Sequence, residues 1–173
     1  MFGTDEESLS TIAQKIGEEA AKHGYGPGDF MVVVPAMSPL VKSLEARIQA
    51  YWHEAAGEGN YVHVDIDSDK SYSFCDGSKG KTIVASIHRS RKTRRSVVFF
   101  VCAGLSPLDA AYESLLYVAV TRQKKQLYIG VVQSGFAPDD VLQRLLAAEQ
   151  LGLCKQVPGV VADKDIASKI TDF

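Results

Sequence analysis

Cysteine is scarce in this chain of 173 residues: Cys75, Cys102 and Cys154 are odd in number, widely spaced and form no Cys-x-x-Cys pair. This pattern argues against a disulfide framework or a zinc site and favours a reducing compartment. No apolar run reaches the roughly 18 residues that span a membrane, and the polar, acidic segment 1–10 does not resemble a signal peptide. We therefore expect an intracellular protein with no membrane partner.

The usual motifs of a self-sufficient enzyme are also missing. The tripeptide Gly80-Lys81-Thr82 looks like the end of a P-loop, but Cys75 stands where the first glycine belongs, and an apolar strand pattern follows instead of a helix. No Gly-x-Ser-x-Gly elbow is present, and the four histidines lack metal-ligand spacing. The sequence thus predicts neither a primary ATP site nor a metal site in this chain.

The composition is that of a globular domain, with 46% hydrophobic and 23% charged residues. At about 150 residues per domain, we expect residues 1–173 to form one domain. Short apolar segments predict five strands, and apolar residues at helical spacing predict four helices. The strands are residues 30–34, 61–65, 82–85, 97–101 and 126–132; the helices are residues 5–23, 38–52, 110–121 and 138–151, followed by a tail. The alternation of strands and helices predicts an α/β fold with an open, mainly parallel sheet.

The charge distribution is more informative than the formal net charge of −2. Segment 77–95 holds seven basic residues and no acid: Lys79, Lys81, Arg89, Arg91, Lys92, Arg94 and Arg95. Such a segment is either a phosphate-facing surface or a solvated basic loop, and composition does not decide between them.

Polar side chains follow the third predicted strand, at Ser86, His88, Arg89 and Ser90. Ligands of parallel α/β sheets bind at the carboxyl ends of strands, and hydroxyls, histidine and arginine suit contacts to a nucleic-acid backbone. Farther along, a mostly apolar helix pattern ends in Thr121-Arg122. An arginine at such a position could reach a phosphate.

Three segments resemble motifs of superfamily 1 helicases of the UvrD-like type. The segment Leu116-Tyr-Val-Ala-Val-Thr-Arg122, with Lys124 and Lys125 after it, resembles motif VI. Ser86-Ile-His-Arg-Ser-Arg91, followed by an apolar strand, resembles motif V, and segment 30–45 resembles the region of motif IV. Their order and spacing match over residues 29–132, and the similarity is greatest to members from large DNA viruses and eukaryotes.

The resemblance implies that the chain is the C-terminal RecA-like domain (2A) of such a helicase, a three-layer α/β/α domain with its core at residues 29–132. It implies that Arg122 is an arginine finger, that Thr121, Arg94 and Arg91 lie at the edge of the ATP site, and that Ser86, His88, Arg89 and Ser90 contact nucleic acid. ATP and Mg²⁺ would be bound only in the complete helicase, with the first RecA-like domain as partner. The other expected partner is single-stranded nucleic acid, DNA in preference to RNA, in the cytoplasm, the nucleus or a viral replication site. The isolated chain is expected to be inactive.

Motif V departs from the family pattern. Where Lys-Gly-x-Glu is usual, this chain has Arg91-Lys92-Thr93-Arg94, so an acidic residue that normally approaches the ribose is replaced by arginine. The departure keeps a second hypothesis open, that of a degenerate, non-catalytic helicase-like module that binds nucleic acid or protein. A third hypothesis, an unrelated doubly wound nucleotide-binding protein, is disfavoured by motif VI.

Overall fold

The structure, a computed structural model, describes residues 5–34, 40–66, 78–91, 93–102, 117–118, 121–131 and 147–153. Two long helices, α1 (Asp5–His23) and α2 (Leu40–Ala56), and one short helix, α3 (Ile87–Ser90), accompany five strands. The strands are β1 (Phe30–Val34), β2 (Val62–Asp65), β3 (Thr82–Ser86), β4 (Arg95–Cys102) and β5 (Gln123–Val131).

All five strands lie in one parallel sheet, in the order β2-β3-β1-β4-β5. The central strands β1 and β3 are continuous runs of buried residues, as expected for strands covered on both faces. The α/β class and the five-stranded parallel sheet predicted from the sequence are therefore confirmed, and the architecture is consistent with a RecA-like domain.

Alternate residues of the strands supply two separate cores because successive side chains of a strand point to opposite faces. On one face Phe30, Val32 and Val84 pack with α1 and α2. On the other face Met31, Val33 and Ile83 pack with Ile87 of α3 and with Val118. Burial of each such side chain contributes about 1.5–3 kcal/mol.

Several element ends differ from the sequence predictions, and three of the differences matter most. Helix α2 continues to Ala56 rather than ending near Trp52, and β4 and β5 begin earlier than predicted, at Arg95 and Gln123. Helix α3 was not predicted; it starts where the Ser86 hydroxyl accepts a hydrogen bond from the backbone N–H of Arg89.

The two later helices predicted from the sequence fall mainly outside the described residues. Within them, residues 117–118 and 147–150 are helical. Among the described residues, no helix has the length and apolar character needed to cross a membrane.

Candidate nucleotide and nucleic-acid interfaces

The candidate site residues divide between the two edges of the sheet. Ser86 is the last residue of β3, so Ser86 and the α3 residues after it, His88, Arg89 and Ser90, lie toward the carboxyl edge. Arg94 precedes β4, and Thr121 and Arg122 precede β5, so these three lie at the amino edge. The basic segment 77–95 is therefore not one continuous surface. Its chain runs along β3 from the amino edge to the carboxyl edge and then returns to the amino edge at the start of β4.

At the carboxyl edge, the two serine hydroxyls serve local structure. The Ser86 Oγ accepts from the Arg89 backbone N–H at 3.4 Å and so caps the start of α3. The Ser90 hydroxyl is fully buried and donates to the Ile87 carbonyl at 2.8 Å. His88 is exposed, which makes it the accessible side chain of this predicted nucleic-acid set.

Arg89 is held by an ion pair that the sequence did not reveal. Its Nε donates to Asp65 Oδ1 at 2.6 Å, and the Asp65 side chain is only 9% exposed. Asp65 ends β2, which pairs with β3 in parallel and places Asp65 beside Ala85. The pairing neutralises much of the charge that Arg89 would present to a phosphate. The sequence could not predict this ion pair because it does not show that β2 and β3 are adjacent in the sheet.

At the amino edge, Arg122 is half-buried in a set of hydrogen bonds to oxygen atoms. Its Nε donates to the Val118 carbonyl at 3.0 Å, its Nη1 to the Arg91 carbonyl at 2.8 Å and its Nη2 to the Thr121 hydroxyl at 2.9 Å. These bonds orient the guanidinium without cancelling its charge. Asp109 and Glu113, the acidic residues nearest before Arg122 in the sequence, lie outside the described residues.

Arg94 joins the same cluster. Its Nε and Nη2 both donate to the Thr121 carbonyl, at 3.4 Å and 3.2 Å. The structure thus brings Arg94, Thr121 and Arg122 together, with Arg91 contributing its backbone carbonyl. Within the described part of the chain, no carboxylate forms an ion pair with Arg94 or Arg122. Two guanidinium groups that keep their positive charge form a suitable environment for an anion.

Arg95 lies beside this cluster, although no role at the site was predicted for it. Its Nη2 donates to the Ser78 carbonyl at 3.4 Å, and its Nη1 donates to the Thr93 hydroxyl at 3.3 Å. Burial lowers the pKa of Arg95 below its ordinary value, and the charge of Asp29 opposes that change. Arg95 therefore joins the turn before β3 to the start of β4.

No group of three or more His, Cys, Asp or Glu residues suited to a metal ion occurs among the described residues. The carboxylates that the structure does describe near the amino edge are engaged within the fold: Asp29 accepts a hydrogen bond from Ser96 at 2.8 Å. The donors found here suit an anion rather than a cation.

Comparison with known proteins supports the fold. No family model matches the chain, and no curated protein matches it. Among solved structures, it is similar to the C-terminal domain of a possible DNA helicase from Lactobacillus plantarum WCFS1, with a TM-score of 0.50 and 13% sequence identity. The match covers 77% of this chain and 71% of that chain. At this identity, the likeness is one of fold.

Proposed function

We propose that this chain is the C-terminal RecA-like half of an ATP-dependent nucleic-acid helicase of superfamily 1, UvrD-like type. The observation that carries the proposal is the joining of Arg94, Thr121 and Arg122 at one edge of a parallel sheet. The similarity of fold to a helicase C-terminal domain is independent support. Neither the motif resemblance nor the fold alone would assign function, since one fold hosts many activities.

In this proposal Arg122 acts on the γ-phosphate of ATP held by the preceding half of the helicase. The charge that develops on the transferring phosphoryl group is stabilised by a guanidinium that is already oriented. The carbonyls of Val118 and Arg91 supply that orientation. Arg94, fixed on the Thr121 carbonyl, adds a second positive charge beside it.

The amino edge fits the anionic part of the nucleotide rather than the metal. The guanidinium groups of Arg94 and Arg122 would contact phosphate oxygens, whereas Mg²⁺ prefers carboxylate, carbonyl and water oxygens. The described residues offer no cluster of carboxylates at this place. Mg²⁺, which neutralises phosphate charge when bound, therefore belongs to the other half in this proposal.

A second candidate is the non-catalytic, helicase-like module. It is favoured by the same hydrogen bonds, since all three nitrogen atoms of the Arg122 guanidinium group already donate to oxygen atoms of the chain. Two of the five N–H groups of the guanidinium, one on Nη1 and one on Nη2, remain for a phosphate, so a finger could bind with its present bonds in place. If the module is non-catalytic, the Arg122 guanidinium holds Val118 and Thr121 against the Arg91 carbonyl that follows α3. Nucleic acid then contacts the remaining basic residues.

ATP turnover by the protein that contains both halves distinguishes the two candidates. An arginine finger is worth 10³-fold or more in turnover, so Arg122→Ala should reduce hydrolysis by about that factor in the presence of single-stranded nucleic acid. Lys22→Ala is the matched control because Lys22 is an exposed cation on α1, outside the segments that resemble helicase motifs. Equal turnover of the two variants would favour the non-catalytic module.

A further inference from the structure

We propose that the amino edge of the sheet is a binding surface for the phosphodiester backbone of nucleic acid. The surface, here called the amino-edge strip, consists of Lys79, Lys81, Arg94, Lys124 and Lys125. It is separate from the residues after β3 that the motif resemblance assigns to nucleic acid. It goes beyond the proposed function because it requires neither ATP nor a second domain.

The turns that carry these cations are packed together. A Cβ placed on Gly28 would lie 3.1 Å from the Gly80 Cα, so the turn before β3 is in close contact with the turn before β1. The Thr82 hydroxyl donates to the Pro27 carbonyl at 3.0 Å and fastens the same two turns. Lys79 and Lys81 are therefore held beside the starts of the central strands.

The start of β4 is joined to this turn and to β5. The Arg95 guanidinium donates to the Ser78 carbonyl, and the Arg95 backbone N–H donates to the Arg122 carbonyl at 3.2 Å. The cations before β3, β4 and β5 consequently belong to one rigid edge. Little conformational entropy of the backbone would be lost when a ligand binds across it.

A β-bulge adds exposed lysines at the far end of the strip. Arg95 pairs with Gln123 and Val97 pairs with Gln126, so two steps along β4 correspond to three along β5. The extra residue falls in the Lys124-Lys125 segment, and both lysines are exposed. Bulges recur where a strand must redirect a side chain, often beside functional sites. Here the bulge places two consecutive cations near the start of β5.

The charge of the strip is not cancelled within the described residues. None of its five members forms an ion pair with a described carboxylate. Asp29, between β1 and the strip, accepts hydrogen bonds from the Ser96 hydroxyl and from the Gly26 N–H at 3.1 Å. Glu19, at the end of α1, is buried and accepts from the Tyr128 hydroxyl at 2.7 Å. The Lys125 Nζ lies 5.3 Å from the centroid of the Tyr25 ring, a contact that leaves its charge intact.

The length of the strip selects a polymer over a single nucleotide. Three strand spacings of about 4.8 Å separate β3 from β5, which gives roughly 14 Å between the ends of the strip. Each nucleotide of a strand carries one phosphate charge, so a strand laid along the strip would meet several cations in succession. A triphosphate at Arg94 and Arg122 would leave Lys79 and Lys81 without a phosphate.

Binding of a labelled oligothymidylate strand to the purified chain, followed by fluorescence anisotropy over a salt series, tests the proposal. The variant Lys79→Gln/Lys124→Gln removes one cation from each end of the strip. The matched control Lys22→Gln/Lys42→Gln removes the same charge from exposed lysines on α1 and α2. Each lost phosphate contact on a single strand reduces the slope of log affinity against log salt by about 0.7, so the strip variant should lose about 1.4. The control should keep the slope of the original chain.

Three results would overturn the proposal. If the slope decreased equally in both double variants, the effect would be one of net charge and not of the strip. A loss confined to His88→Ala, with the strip variant unchanged, would move the contact to the carboxyl edge. Displacement of the strand by tripolyphosphate at an equal concentration of phosphate groups would show a short anion site instead of a strip. A duplex probe measured in parallel shows whether the strip binds single-stranded or double-stranded nucleic acid more tightly.

Discussion

Thr82 links three parts of the structure through one buried hydroxyl. Its Oγ accepts from the Trp52 indole N–H at 3.0 Å and donates to the Pro27 carbonyl at 3.0 Å. Thr82 is fully buried and Trp52 is 4% exposed. The hydroxyl therefore joins α2 and the turn before β1 to the start of β3, and its removal tests the packing of the amino edge.

Thr82→Val keeps the shape of the side chain, so the loss is chiefly one of hydrogen bonding. A buried donor left unsatisfied costs about 1–3 kcal/mol, and here the indole N–H loses its acceptor. For a domain of this size, 1 kcal/mol shifts the melting temperature by about 2–4 °C. We expect the free energy of unfolding to fall by about 2 kcal/mol, which corresponds to a shift of about 4–8 °C.

Trp52 is the single tryptophan of the chain, so its fluorescence during urea or thermal unfolding reports on this contact directly. Thr82→Ser retains the hydroxyl and loses only a methyl group; it should lose less stability than Thr82→Val and keep the emission of the original chain. If Thr82→Ser were the more destabilised of the two, methyl packing would explain the site, and the hydrogen-bond reasoning would be refuted.

Two further predictions concern buried carboxylates. Arg89→Ala should destabilise the chain by about 3 kcal/mol because it leaves the Asp65 carboxylate buried and unpaired; adding Asp65→Asn should restore most of that loss in a urea titration, and an additive double variant would refute the ion pair. Burial, together with the Glu19 carboxylate that accepts its hydrogen bond, raises the pKa of Tyr128 above its ordinary value. Since the unfolded chain releases this proton near pH 10 while the folded chain retains it, stability should fall as pH rises above about 10. Tyr128→Phe should reduce that slope and the exposed control Tyr117→Phe should not; equal slopes would contradict the assignment.

The strands were predictable from sequence where burial alone defines them. The Val, Ile and Phe runs of β1 and β3 need no partner to be recognised, since strands covered on both faces are continuously apolar. The early start of β5 was not predictable, because Gln123 joins the sheet by pairing with Arg95 of β4 and neither Gln123 nor the two lysines after it carry an apolar signal. Helix α3 was not predictable either, because four residues are too few to show a helical period.

The candidate site was predictable as a set of residue types but not as an arrangement. Lys79 and Arg89 belong to the same basic segment of the sequence. Because β3 lies between them, they are at opposite edges of the sheet. The Arg89–Asp65 pair depends on strand order, and no local pattern reveals strand order. The contact between Arg94 and Thr121 likewise joins residues that β4 and the connection after it separate in sequence. The motif resemblance implies a shared role for Arg94, Thr121 and Arg122 at the edge of an ATP site; the structure shows that both arginines hydrogen-bond to Thr121.

The most direct test of the helicase proposal pairs the turnover of Arg122 variants with their stability. The three hydrogen bonds of the guanidinium are partly exposed, and each such bond contributes about 1 kcal/mol or less. Arg122→Ala should therefore lose at most about 3 kcal/mol of stability, a melting shift of no more than about 6–12 °C, while ATP turnover by the protein with both halves falls by about 10³. Arg122→Lys retains the charge but cannot reproduce the two-pronged geometry, and should recover only part of the activity. A large melting shift, with turnover retained in the folded fraction, would contradict the proposal and make Arg122 a structural residue.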